Sequence, residues 1–287
     1  MIAASAMARV WLTAFLLCLA GIAAILSLPG AQIAESRPER FAHTIQRLDP
    51  VPDILVLGSS LSMRAFPPQF RVGAASGSNA PGGQGLRMAL SCIEPDALAR
   101  MMKEAVARGI PKIIVEVNHL LYSMKACRPE PGLRAKFTNF AFALRLRVSW
   151  TVLGTGAVLA EASREFDSLK QTYDGDKSQL GNLYPARLRS PKAFDLLEAL
   201  VAARREKGLE VILVVMPRSE TASQFLGAAF NSELDARLVA LRGRFANMVW
   251  EPARFWPDRY FADHAHMNQA GRERFLAEFG NVIGEIH

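Results

Sequence analysis

The chain has 287 residues, half of them hydrophobic, which is enough for one large core or two small ones and too apolar for a disordered chain. Its formal net charge of +7 is spread along the sequence, with no zinc-finger spacing and no RNP-type motif, which argues against nucleic acid as a partner. A basic face turned towards an anionic membrane or polymer fits the same charge.

The first segment to stand out is VWLTAFLLCLAGIAAILSL, Val10 to Leu28, with no charge over 19 residues. That is close to the length a helix needs to cross a bilayer. Arg9 precedes it, Pro29-Gly30 follows, and Pro29, Gly30 and Ala31 make a poor cleavage site before Gln32. An uncleaved signal anchor over residues 1–31 is therefore expected, with a cleaved secretory signal as the alternative. Arg9 on the short N-terminal side implies a cytoplasmic N-terminus and an exported remainder. The expected location is the inner membrane, single-pass, with the folded domain on the periplasmic side. Cys18 lies inside the apolar run, leaving Cys92 and Cys127 in the exported part. In an oxidising compartment those two can pair in a disulfide; the other reading is two separate buried thiols.

A polar, mixed-charge connector at residues 32–52 leads into a domain expected over residues 53–287. The domain opens with DILVLGSSLSMRAF, in which four apolar residues, Ile54 to Leu57, give way to Gly58, Ser59 and Ser60. This reads as a buried strand ending in a sharp turn, with Gly58 chosen for its backbone freedom. A short strand is expected near Arg71–Ala75. Glu94 to Gly109 reads as a helix with Leu98, Met101, Met102 and Ala105 on one face and Gly109 as its stop. A strand follows at Lys112–Val117.

The stretch 122–189 breaks the rhythm and reads as an insertion. Within it Phe137, Phe140, Leu144 and Val148 share a helical face flanked by Lys136, Arg145 and Arg147. Such a helix either lies on a membrane or partner, or packs into its own core. The pattern then resumes with a helix at Ala193–Gly208, a strand at Leu209–Met216, a helix at Asn231–Arg244, a short strand in ANMVW and a closing helix at Asn268–Phe279. Short apolar strands alternating with helices point to an α/β fold: a mostly parallel sheet covered on both faces, with ligands beyond the carboxyl ends of its strands.

Ser60 falls at such an end. Near the C-terminus, FADHAHMNQAGRERF carries Asp263 and His266 three residues apart, before a helix that Asn268 can cap. A histidine oriented by a carboxylate can take the proton of a serine hydroxyl. His264 is the competing base in the same stretch. Each signal is weak alone, since Ser60 or Ser62 can also simply cap a helix. Their combination in one α/β chain is much more specific.

These motifs resemble the SGNH (GDSL) esterase and acyltransferase superfamily. ILVLGSSLS is similar to its first block, Gly-Asp-Ser-Leu-Ser, with Ser59 where Asp is usual and Ser60 at the nucleophile position. DHAHMNQAG is similar to its last block, which implies that Asp263 and His266 complete a catalytic triad. AASGSN resembles the glycine block, implying Gly77 N–H as an oxyanion-hole donor. VEVNHLL places Asn118 where the family has its oxyanion-hole Asn, departing from the Gly-x-Asn-Asp wording, with His119 beside it. The resemblance covers Asp53 to Phe279 apart from the insertion. It implies a three-layer α/β/α sandwich, here preceded by one transmembrane helix, and no metal or cofactor.

The Ser-Ser variant, the anchor and the exported domain together resemble a branch that includes the D-alanyl-teichoic acid transfer protein and alginate-type polysaccharide O-acetyltransferases. By that resemblance the expected activity is O-acyl transfer to a cell-envelope polysaccharide through a Ser60 acyl-enzyme. A multi-pass membrane acyltransferase would be the partner that delivers the acyl group. Two other readings stand beside it: a periplasmic esterase or deacetylase using the same triad, and a non-catalytic scaffold of an envelope assembly complex.

Overall fold

The computed structural model describes residues 11–21, 37–73, 83–124, 127, 180–184, 187–189 and 194–283. The chain divides into two compact units, Met1–Ser36 with Pro131–Ala157 and Arg37–Glu130 with Val158–His287. In the first unit, residues 11–21 are helical and exposed. No helix among the described residues is long and apolar enough to cross a membrane. The expected span Val10–Leu28 runs outside the described residues at both ends, and the basic amphipathic stretch around Phe137–Val148 lies wholly outside them.

The second unit is α/β, built on a six-stranded, mostly parallel sheet. Its strands are β1 (Ile54–Gly58), β2 (Gln69–Val72), β3 (Gly83–Ala89), β4 (Lys112–Glu116), β5 (Glu210–Val214) and β6 (Val249–Trp250), in the spatial order β2-β3-β1-β4-β5-β6. Only the edge strand β2 runs antiparallel to its neighbour; the other pairs are parallel. Leu57 sits opposite Met88 on one side and Val115 on the other, so β1 is central.

Burial on both faces explains why β1, β4 and β5 read as unbroken apolar runs. Ile54, Val56, Ile114, Ile212 and Val214 pack into one cluster with Leu61 and Ala65 of helix α2 (Ser60–Ala65) and Phe275, Phe279 and Ile283 of the C-terminal helix Gln269–Ile283. The alternate residues Leu55, Leu57, Ile113, Val115 and Leu213 are fully buried too, on the opposite face by strand alternation. Helix α3 (Pro95–Arg108) contacts β1, and the helix Asp195–Lys207 contacts both α3 and β5. Helices on both faces are consistent with a three-layer arrangement. Helix α3 shows its reading in detail: Pro95 opens it, Leu98, Met101, Met102 and Ala105 are buried, and Gly109 closes it at φ 73°, accepting the left-handed turn a C-cap requires.

Three expectations change. The connector at 32–52 contains a helix, α1 (Arg37–Gln46), whose Phe41, Ala42 and Ile45 are buried and which packs on α3. Its apolar residues are few and spaced for one face, so the segment reads as polar. The strand near Arg71–Ala75 lies earlier, at Gln69–Val72. Strand β3 has no counterpart in the sequence reading, because Gly83, Gln84, Gly85 and Arg87 interrupt its apolar run. The ends of the 122–189 insertion come together, Tyr122–Ser123 pairing antiparallel with Arg187–Leu188.

Candidate active site

At the carboxyl end of β1 the chain passes directly into α2, and Ser60 is that helix's first residue. Ser59 is the N-cap: its Oγ accepts the Leu61 N–H at 3.2 Å. At the other end of α2, the buried Arg87 guanidinium of β3 donates to the carbonyls of Met63 and, at 2.9 Å, Phe66. Helix C-terminal carbonyls lack partners within the helix, so a cation there holds the short element in place.

Gly58 has no left-handed φ, so the backbone freedom expected of it is not what this position uses. Space requires the glycine instead. A Cβ there would collide with Ser62 Oγ and come within 2.8 Å of Glu116 Cβ and Oε2.

Glu116 ends β4 beside this turn and is 1 % exposed. Its carboxylate accepts four groups: Ser59 N–H at 2.7 Å, Ser59 Oγ–H at 2.8 Å, Ser62 Oγ–H at 2.9 Å and Ser62 N–H at 3.2 Å. Burial alone would raise the Glu116 carboxyl. The neighbouring His119 and the Ser59 hydrogen bonds outweigh it, and the pKa is held below its ordinary value. Sequence reasoning missed Glu116. The available signal was a lone acid within the apolar run KIIVEV of a central strand, where an unpaired charge is rarely tolerated.

The loop before the last helix supplies the other half of the site. Its ends are tied by the Phe261–Met267 bridge and by Ala262 N–H donating to His266 O at 2.8 Å. Asn268 Oδ1 accepts Gly271 N–H at 2.9 Å and caps the helix Gln269–Ile283, while its amide donates to Arg259 O and Phe261 O. Within the loop, Asp263 Oδ1 accepts the N–H groups of Ala265 and His266 at 2.7 and 2.6 Å. Asp263 Oδ2 lies 2.8 Å from His266 Nδ1, and His266 Nε2 lies 2.9 Å from Ser60 Oγ. A carboxylate on Nδ1 places the proton there, leaving Nε2 to accept the serine hydroxyl. For Asp263, burial raises the pKa, but the imidazole and the two backbone N–H groups prevail and hold it at about 2.

Of the residues singled out from the sequence, Ser60, Asp263 and His266 therefore meet in one hydrogen-bonded line. His266, and not His264, reaches Ser60. Ser59 turns away, towards Glu116. Asn118 reaches the neighbourhood, but its amide is used inside the fold: Nδ2 donates to Met216 O at 3.0 Å and Tyr122 Oη at 3.3 Å, and Oδ1 accepts Met216 N–H at 2.7 Å. Both amide hydrogens are committed, so this placement does not supply an oxyanion donor. Gly77 lies outside the described residues. Cys92 and Cys127 are joined in a disulfide. Both line a cavity of about 30 Å³ together with Ser60, Glu116, Asn118 and His119. No group of three or more metal-ligating side chains occurs among the described residues.

An ordinary serine hydroxyl beside an imidazole that is itself backed by an ionised carboxylate can be deprotonated as it attacks a carbonyl. Ser60 N–H, at the first position of its helix, has no acceptor within that helix, which is what a donor to the resulting oxyanion requires. No protein-family model matches the chain, and no curated protein matches it.

Proposed function

We propose that this chain is a serine-dependent acyl-transfer enzyme of SGNH type, anchored in the inner membrane, that moves an acyl group to a hydroxyl of a cell-envelope polysaccharide. The observation that carries this reading is the Ser60–His266–Asp263 line at the carboxyl end of the central strand. In the first step His266 Nε2 takes the Ser60 proton while Oγ attacks the acyl carbonyl. His266 then returns that proton to the leaving group as the acyl-Ser60 ester forms. In the second step the acceptor hydroxyl gives its proton to His266, attacks the ester, and Ser60 recovers the proton as its ester bond breaks. Asp263 holds the imidazole orientation and stabilises its charged form throughout.

The motif resemblance and the uncharged Val10–Leu28 run support the finer parts of the proposal: an SGNH-type sandwich, a transmembrane anchor, and a multi-pass membrane acyltransferase as donor partner. The Cys92–Cys127 disulfide supports export, because such bonds persist in oxidising compartments.

The test begins with a fluorophosphonate probe on the full chain. Labelling should fall on Ser60 and vanish in Ser60→Ala, while Ser59→Ala labels at most of the wild-type rate, since Ser59 faces Glu116. Normal labelling of Ser60→Ala would overturn the assignment, and no labelling of the wild type would favour the scaffold reading. Product analysis with an activated acetyl ester and a polysaccharide acceptor then separates transfer from hydrolysis.

A further inference from the structure

His119 lines the cavity that Ser60 also lines, and the Ser60–His266–Asp263 line does not use it. The residue is 8 % exposed, and neither ring nitrogen, Nδ1 nor Nε2, has a hydrogen-bond partner among the described residues. A buried polar group in that condition is uncommon and costs free energy, which a partner gained during function would offset. The nearest carboxylate oxygen, Glu116 Oε1, is 3.7 Å from Nδ1, too far for a hydrogen bond but close enough to bias the ring. A carboxylate on that side favours the proton on Nδ1 and leaves the Nε2 lone pair uncommitted. Glu116 in turn is fixed by Ser59 and Ser62, the residues that flank the nucleophile turn. Two carboxylate–histidine pairs, each spaced three residues apart, therefore lie near the nucleophile: Asp263–His266, which touches Ser60, and Glu116–His119, which lines a cavity with it.

We propose that His119 contacts the acyl acceptor: Nε2 accepts a hydrogen bond from a second hydroxyl of the acceptor, adjacent to the hydroxyl that attacks acyl-Ser60. The reacting hydroxyl still gives its proton to His266, and Ser60 recovers that proton as the ester bond to the acyl group moves to the acceptor oxygen. His119 removes no proton; it holds the neighbouring hydroxyl and so selects acceptors with vicinal diols, the pattern of a sugar ring. This rests on the acyl-enzyme reading above and assigns a substrate class to its second step.

The test measures partition at the acyl-enzyme, a ratio fixed after acylation, so that general damage to the enzyme cancels. The full chain is acetylated with p-nitrophenyl acetate in equimolar ethylene glycol and ethanol, and the two acetate esters are quantified. Wild type should favour the glycol by about tenfold per hydroxyl, the factor one hydrogen bond of ordinary strength carries. His119→Leu should bring the ratio to about one, and His119→Gln, which keeps an acceptor oxygen, should retain part of the preference. A wild-type ratio near one, or an unchanged ratio in His119→Leu, overturns the proposal while leaving the Ser60 acyl-enzyme intact. Absence of any ester product combined with absent Ser60 labelling overturns the acyl-enzyme reading itself. If His119→Leu fails to fold, the Gln and Asn variants carry the same comparison.

Discussion

Asp263 offers a measurement that does not depend on knowing the substrate. Its carboxyl is held at about 2, against an ordinary 3.8, by the His266 imidazole and two backbone N–H groups acting against burial. A depressed folded-state pKa means stability that is fully present above the ordinary value and is lost as pH falls through the folded one. The difference is worth about 2 kcal/mol. Asp263→Asn should therefore be less stable than wild type by about that amount at pH 5–7, and denaturant midpoints should converge as pH falls from about 4 towards 2. A gap between the two that persists undiminished at pH 2 would show that Asp263 contributes packing and not charge. Asp263→Asn should also lose most acyl-enzyme formation, because the amide no longer dictates which imidazole nitrogen carries the proton. Ser59→Ala should keep the chemistry and lose about 1 kcal/mol, the usual worth of a helix N-cap.

At the scale of elements, the disulfide is the clearest handle. Cys92 and Cys127 are 35 residues apart, and closing a loop of that length stabilises by about 3–4 kcal/mol in the chain-entropy model. Reduction, or the double variant Cys92→Ser/Cys127→Ser, should lower the melting midpoint, and mass spectrometry of the unreduced protein should show the linked pair. Two alkylatable thiols in the native protein would remove the bond. The elements also show what a single sequence can carry. Strands β1, β4 and β5 were legible because central parallel strands are apolar on both faces, and α3 because Leu98, Met101, Met102 and Ala105 share one face and Gly109 marks its end. Strand β3 was not, since its Arg87 is a buried cation whose partners, the Met63 and Phe66 carbonyls, lie far away in sequence. The same reason hid Glu116. Ser60, Asp263 and His266 could be picked out by residue type and position, but the carboxylate that organises the nucleophile turn is defined by contacts 54 and 57 residues distant. Gly58 was flagged correctly as special and for the wrong cause, because the crowding comes from Ser62 Oγ and from Glu116 on the neighbouring strand, contacts that only the folded chain creates.

For the molecule as a whole, the proposal of an anchored, exported enzyme makes a direct prediction. The uncharged run Val10–Leu28 should keep the full-length chain in the inner membrane fraction, with the domain from Arg37 onwards accessible to protease from the periplasmic side. A shortened form released into the periplasm would show a cleaved signal in place of an anchor. The catalytic line also has a consequence for timing. Ser60 and His266 are 206 positions apart, and the residues that complete the line belong to a loop whose closing cap, Asn268, opens the last helix. Until that loop docks, Ser60 is an unassisted alcohol with the weak nucleophilicity of any serine. A chain caught partway through export or folding would therefore be chemically silent, and reactivity would arrive only with the final packing of Phe275 and Phe279 against the sheet. Under the proposed acyl-transfer function, the chain would in this way be protected from acylating itself or its neighbours before it is whole.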